Sequence, residues 1–250
     1  MIITLIFLGV ICGFLNSAAS GGSLVILPLM ILLGIPPSVA NATFRLPILI
    51  GSATSIWKFQ QASAIPWAKT PFLLVIFVPM SLIGAALASM LPNALIAKMI
   101  KISVLVALAF LLINPKQALA QRASSVAAKN QLSATNLKIA LTVGLCGLWL
   151  GLIVIDAAIF LLLGLVYFAG LSLEKEVPIK SALIFISSIP TICVFILSGD
   201  INWHYGEVLS LGSIAGAILG SSLVLKEGSG KWIHGLLILV VSIEAVKIFL

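Results

Sequence analysis

Four small groups of polar residues lie inside otherwise apolar stretches of this chain, where burial is costly unless each group has partners or work. The first is Asn16, Ser17, Ser20, Gly21, Gly22 and Ser23, a run of small residues that resists continuous helix. A break there exposes backbone N–H groups at the start of the returning half-helix, and those dipole ends attract anions. Neighbouring serine hydroxyls add donors, although small residues also suit a tight turn. The second group is Asn41, Thr43 and Arg45, with Pro47 following. Arg45 lies about eight residues beyond Pro37, roughly 12 Å of helix, deep enough to meet a buried anion and shallow enough to snorkel. The third is Lys180 with Ser181, a second cation for the same anion.

The fourth is Asp156 alone, the one acid deep in an apolar run apart from Glu244 near the chain end. It could take up a proton for coupling, pair with Lys180 or coordinate a cation. Glu244 with Lys247 one turn on reads as an ordinary helical ion pair. His204 and His234 read as interfacial rather than catalytic. Cys12, Cys146 and Cys193 sit in apolar runs with neither CxxC nor Cys/His ligand spacing, so they are packing residues. Neither a metal nor another cofactor is expected.

These residues need a scaffold, and composition sets its class. A chain 61% hydrophobic and 8% charged cannot keep a globular surface wet, so most of that surface must face lipid. The net charge of +7 does not indicate nucleic acid, because basic residues stand singly between apolar runs with no basic face or stacking platform. The positive-inside bias accounts for it better. The N-terminal stretch lacks the charged start of a secretory signal and runs into further apolar sequence, so it reads as retained structure.

Apolar segments fall at about 2–33, 38–57, 71–91, 93–114, 137–169, 177–198, 205–225 and 232–250. The stretch 115–136 has three basic residues and no acid, and reads as a cytoplasmic linker between a first repeat (1–114) and a second (137–250). The halves resemble each other at an offset of 136, which superposes Gly34 on Gly170, Trp67 on Trp203 and Gly84 on Gly220. At that offset Arg45 falls on Ser181, beside Lys180. Segments 2–33 and 137–169 are too long for one span and short for two, and each is interrupted, the second around Gly151 to Asp156. With both as re-entrant hairpins, ten basic residues face the cytoplasm and only Lys98, Lys101 and Lys247 face out; with both as single crossings the split is seven to six. The positive-inside rule selects the hairpins. The fold expected is thus an all-α polytopic membrane protein of two inverted repeats, each a broken or re-entrant helical hairpin followed by three transmembrane helices. Gly212, Gly216 and Gly220 offer a close-packing stripe, Ser81, Gly84 and Ala88 a weaker one, and Trp57, Trp67, Trp203 and Trp232 an interfacial belt.

The break Ser20-Gly21-Gly22-Ser23 with Pro28, Gly34-Ile35-Pro36, Ala40 and Thr43 resembles the first half of the sulfite exporter TauE/SafE family. Lys180-Ser181-Ala182, Ser198-Gly199-Asp200-Ile201-Asn202-Trp203 and the Gly216/Gly220 helix resemble its second half. The resemblance implies transport of a small sulfur-containing anion (sulfite, an organosulfonate or thiosulfate) at a site between the two broken elements. The second half departs from the pattern, with Leu150 to Asp156 in place of a Gly-rich break. The alternatives are a proton or cation pathway centred on Asp156 and a membrane-embedded enzyme. The enzyme reading is weak: Asp156 and Asp200 are the only aspartates, and HExxH is absent. No nucleotide-binding motif supports a pump driven directly by ATP. The expected partners are a small anion and the lipid bilayer of a bacterial inner membrane, with self-association into a homo-oligomer compatible with the sequence.

Overall fold

The computed structural model describes residues 2–18, 21–68, 70–112, 137–155, 157–169, 173–226, 228–229, 232–233 and 235–236. Ser20, Asp156, the linker 115–136 and most of segment 232–250 lie outside them. The described residues form α1 (Ile2–Ala18), α2 (Gly22–Leu32), α3 (Pro37–Thr43), α4 (Arg45–Gln61), α5 (Thr70–Ser89), α6 (Asn93–Leu112), α7 (Leu137–Leu152), α8 (Ala157–Ala169), α9 (Leu173–Ser198) and α10 (Trp203–Val224), with no strand among them. Among the described residues α5, Glu176–Ser198 of α9 and α10 are long and apolar enough to cross a membrane. Large apolar side chains such as Ile3, Val75, Met90 and Leu197 stay mostly uncovered, as a lipid-facing surface requires and a wet one does not. Trp57, Trp67, Trp203 and Trp232 are all exposed.

Both long apolar segments double back. A Cβ on Gly22, the first residue of α2, would strike the Cys12 carbonyl oxygen and the Asn16 side chain of α1. In the second pair, a Cβ on Gly164 of α8 would strike the Thr142 side chain of α7. On one straight helix those two positions would stand about 33 Å apart, so α7 and α8 form a hairpin and not an interrupted line. The first break is narrower than the polar run suggests: Asn16, Ser17 and Ala18 stay helical, and α2 resumes at Gly22. Gly34, at φ 86°, ends α2 in the left-handed conformation, with the Ile35 N–H returning to the Met30 carbonyl at 3.1 Å.

Segment 38–57 is also two pieces. Pro47 has no N–H to return to the Thr43 carbonyl, and the helix is interrupted at Phe44 between α3 and α4. At the other end of the chain α9 begins at Leu173, several residues before the apolar run, and carries Glu176 into the interior.

Two glycine seams hold the bundle. Gly212, Gly216 and Gly220 of α10 lie against the backbone of Ile6, Val10 and Phe14 in α1, and Gly9 and Gly13 of α1 return the contact at Leu209 and Ser213. The second seam joins α5 to α7: Gly84 abuts Leu148 and Leu152, while Gly147 and Gly151 abut Phe77 and Ser81. Each seam thus joins a helix after the expected linker to one before it. α4 and α9 cross between the seams and pack on each other, α4 also on α10 and α9 also on α5.

Backbone meets backbone at these glycines, so no side chain can move aside. Gly84→Ala and Gly216→Ala should each lower stability by about 1–3 kcal/mol. Gly144→Ala should be neutral or slightly stabilising, because its new Cβ would make ordinary contact at 3.5 Å with the Ile76 side chain. Thermal unfolding of purified protein in detergent checks the contrast; equal melting points for all three variants would refute the seam.

Candidate functional site

A helix that ends in a buried apolar interior leaves its last carbonyls without water to bond them. The first break meets this with Lys180, whose Nζ donates to the Asn16 carbonyl at 3.0 Å. The Asn16 side chain bonds the other side of the break, its Oδ1 accepting the Gly22 N–H at 2.9 Å and its Nδ2 donating to the Cys12 sulfur at 3.4 Å. At the second break, Arg45 Nη2 donates to the Gly151 carbonyl at 2.5 Å. Asn41 bridges that break, donating from Nδ2 to the Leu152 carbonyl at 3.0 Å and accepting the Val154 N–H on Oδ1 at 3.1 Å. Trp149 Nε1 donates to the Ile155 carbonyl at 3.1 Å. A cation near a helix C-terminus also opposes the negative end of the dipole. The cation at each break comes from the other half of the chain.

A cavity of about 30 Å³ lies between the two hairpins, room for roughly two waters. Asn16 and Ser23 face it from the first hairpin, and Leu150, Val154 and Ala158 from the second. α4 contributes Pro47, Ile48, Gly51, Ser52 and Ser55, α9 contributes Lys180, Ser181 and Ile184, and α10 contributes Ser213. Among the described residues of this lining Lys180 is the charged one, and none is a carboxylate. Four of its serines donate to helix carbonyls: Ser52 to Ile48, Ser55 to Gly51, Ser181 to Val177 and Ser213 to Pro47, at 2.7, 2.9, 2.9 and 2.8 Å. A hydroxyl rotates at little cost, so each can turn its proton toward an entering acceptor.

Asn16, Ser23, Lys180 and Ser181, singled out in the sequence, therefore meet at the cavity. Ser17 stands one step back, its hydroxyl 2.6 Å from that of Ser55. Gly21 and Gly22 form the turn into α2. Thr43 lies elsewhere, its hydroxyl accepting the Asn202 N–H at 2.9 Å. Asn41 and Arg45 serve the second break, the guanidinium stacking 4.3 Å from the centre of the Phe195 ring. Positions 180 and 195 are about 22 Å apart along α9, so Arg45 and Lys180 sit at opposite ends of the crossing. Ser20 and Asp156 are outside the described residues.

Sequence reasoning passed over Ser52, Ser55, Ser213 and Glu176. A lone serine in an apolar helix has no local signature, although Gly51-Ser52 interrupting an apolar run was a usable sign. Glu176 stood among the charges of Glu174-Lys175-Glu176, which look like a loop.

The model for sulfite exporter TauE/SafE matches residues 5–248. The chain belongs to the TauE/SafE family. Its curated relatives carry names of the same kind. A probable membrane transporter protein of Haemophilus influenzae is 26% identical over 88% of this chain and 84% of its own length. The probable membrane transporter protein YfcA of Escherichia coli K12 is 27% identical over 98% of this chain and 88% of its own. A third relative, the probable membrane transporter protein ORF9 of a Sinorhizobium species, is 26% identical over 95% and 88%. No solved structure matches. This TauE/SafE chain is accordingly a multi-pass inner-membrane transporter.

Asn41 gives this construction a direct test. Asn41→Leu keeps the volume but leaves the Leu152 carbonyl and the Val154 N–H unpaired, at about 1–3 kcal/mol for each buried group. Asn93→Ala, which removes an exposed bond to the Ser38 N–H, should cost no more than about 1 kcal/mol. Detergent melting curves compare the two; an Asn41 variant as stable as the Asn93 variant would dismiss the bridging role.

Proposed function

We propose that this transporter moves a small sulfur-containing anion of the sulfite, organosulfonate or thiosulfate class, bound at the cavity between the two hairpins. The observation that carries the reading is the lining: among the described residues it has one lysine, five serines and an asparagine, and no carboxylate. Such a wall offers positive charge and donors that can replace the water an entering anion loses. α2 begins at the same place, and its dipole points the same way. The family description supplies the sulfur chemistry. A cavity of this size suits a compact solute rather than an extended one.

We read the architecture as two inverted repeats, 1–114 and 137–250, joined by the cytoplasmic linker 115–136. The reciprocal seams support this, since exchanging the halves maps the α1/α10 pair onto α7/α5 and leaves the α4/α9 crossing in place. Inversion puts both the linker and Lys226 on the cytoplasmic side. Single-cysteine variants at positions 120 and 226, labelled with an impermeant maleimide, should react only in inside-out vesicles. Labelling of position 226 alone in right-side-out vesicles would overturn the inversion.

Lys180 tests the substrate reading. Lys180→Gln keeps a donor for the Asn16 carbonyl and so should fold, yet it removes the charge. A charge-assisted hydrogen bond contributes about 1.5–3 kcal/mol, so half-saturation of sulfite or thiosulfate uptake in proteoliposomes should rise roughly ten- to a hundredfold. Unchanged affinity in a folded variant would move the anion site elsewhere.

A further inference from the structure

Glu176 is fully buried in α9, and neither of its carboxylate oxygens has a hydrogen-bond partner among the described residues. A carboxylate without such partners is expensive inside a membrane protein and is retained where it has a task. Lys180 lies four residues on, one helical turn away, and the two groups act on each other electrostatically. Lys180 reaches the cavity; Glu176 is not in its lining. The acid thus stands one turn behind the one charge that the described residues present to the cavity.

Among the described residues, the other charged and titratable groups on the elements packed against α9 leave this pair as the local unit; Asp156, between α7 and α8, lies outside them. From α7, the Cys146 thiol comes within electrostatic reach of Glu176, while Lys138 is exposed. From α4, Arg45 meets α9 at Phe195, about 28 Å along the helix from position 176, and Lys58 lies over the exposed Trp57 ring. α1 offers Cys12, and α5 carries no titratable side chain. Tyr167 of α8 has its side chain outside the described residues.

Resting on the anion reading above, we infer that Glu176 is the proton-binding group of an anion–proton symport, exchanging places with the solute as the counter-charge of Lys180. With no solute bound, the Glu176 carboxylate balances the Lys180 ammonium. When a singly charged anion enters, it becomes the counter-charge, and Glu176 takes one proton from the side on which the anion came. The group carries zero net charge in both conditions, so neither step leaves an unbalanced charge in the interior. Release reverses both events. Linkage requires that a proton bound at Glu176 raises anion affinity, and that a bound anion raises proton affinity by the same factor. Half-saturating anion concentration should therefore fall as pH falls.

Methanesulfonate is a suitable probe, because it stays ionised across the working range and carries one charge. In proteoliposomes with the outside acid, the wild-type chain should accumulate labelled methanesulfonate, with one proton entering per anion by a pH-sensitive dye. Imposing a potassium–valinomycin potential should leave that uptake unchanged. Glu176→Gln imitates the protonated acid: it should still exchange the anion, fail to accumulate it, and show a half-saturating concentration that no longer varies with pH. Anion movement by the wild-type chain without protons, or pH-driven accumulation by Glu176→Gln, would overturn the coupling role and leave the anion site standing. Should the variant not fold, the wild-type proton-to-anion ratio decides alone. Absence of wild-type uptake for methanesulfonate, sulfite and thiosulfate alike would remove the anion reading, and this inference with it.

Discussion

Helix ends buried in an apolar interior are the constraint on which this structure depends. A helix that stops away from water strands carbonyls that apolar neighbours cannot bond, and each costs on the order of a few kcal/mol if left alone. α1 and α7 both end among buried residues. Their carbonyls are met by Lys180 at Asn16, Arg45 at Gly151 and Asn41 at Leu152. Every one of these three donors belongs to the opposite half of the chain. The bonds that close the breaks also hold the halves together, and the cavity lies where they meet.

Packing carries the same reciprocity. The glycine seams bring α1 to α10 and α5 to α7 until backbone touches backbone, which fixes where the hairpins stand relative to the α4/α9 crossing. Four of the serines that line the cavity collect at that crossing: Ser52 and Ser55 from α4, Ser181 from α9, and Ser213 from α10. Ser213 bonds the Pro47 carbonyl and also lies against Gly51, so one residue both ties α10 to α4 and faces the cavity. Serine suits that position because its bond to a helix carbonyl keeps it satisfied when no solute is present.

Some of this was legible in the sequence, and the reason differs from residue to residue. The two breaks were readable because small polar residues and interrupted apolar runs are local features. Lys180 and Arg45 were readable as costly cations, but their partners were not: both bond backbone carbonyls, which every residue has and no motif marks. The ends of α9 show the opposite failure. Three consecutive charges before an apolar run look like a loop, and only a helix starting at Leu173 turns Glu176 inward. Ser52, Ser55 and Ser213 belong to one site only after two helices cross, so nothing in either segment alone could have joined them.

The proposed duplication is most informative where the two halves differ. At the offset of 136, Asn41 falls on Val177, Arg45 on Ser181, Glu176 on Ala40 and Lys180 on Phe44. Each polar residue that serves a break thus stands opposite an apolar or small one, and the two breaks are closed by different chemistry. Arg45 is stacked on Phe195 and bonded to Gly151, with its planar fork held in one place. Lys180 is a point charge on a flexible stem, reaches the cavity, and has a carboxylate one turn behind it. A stacked guanidinium suits a fixed anchor, whereas an ammonium can change its partner. On the coupling inferred above, the divergence at four positions makes one break structural and leaves the other able to trade one counter-charge for another.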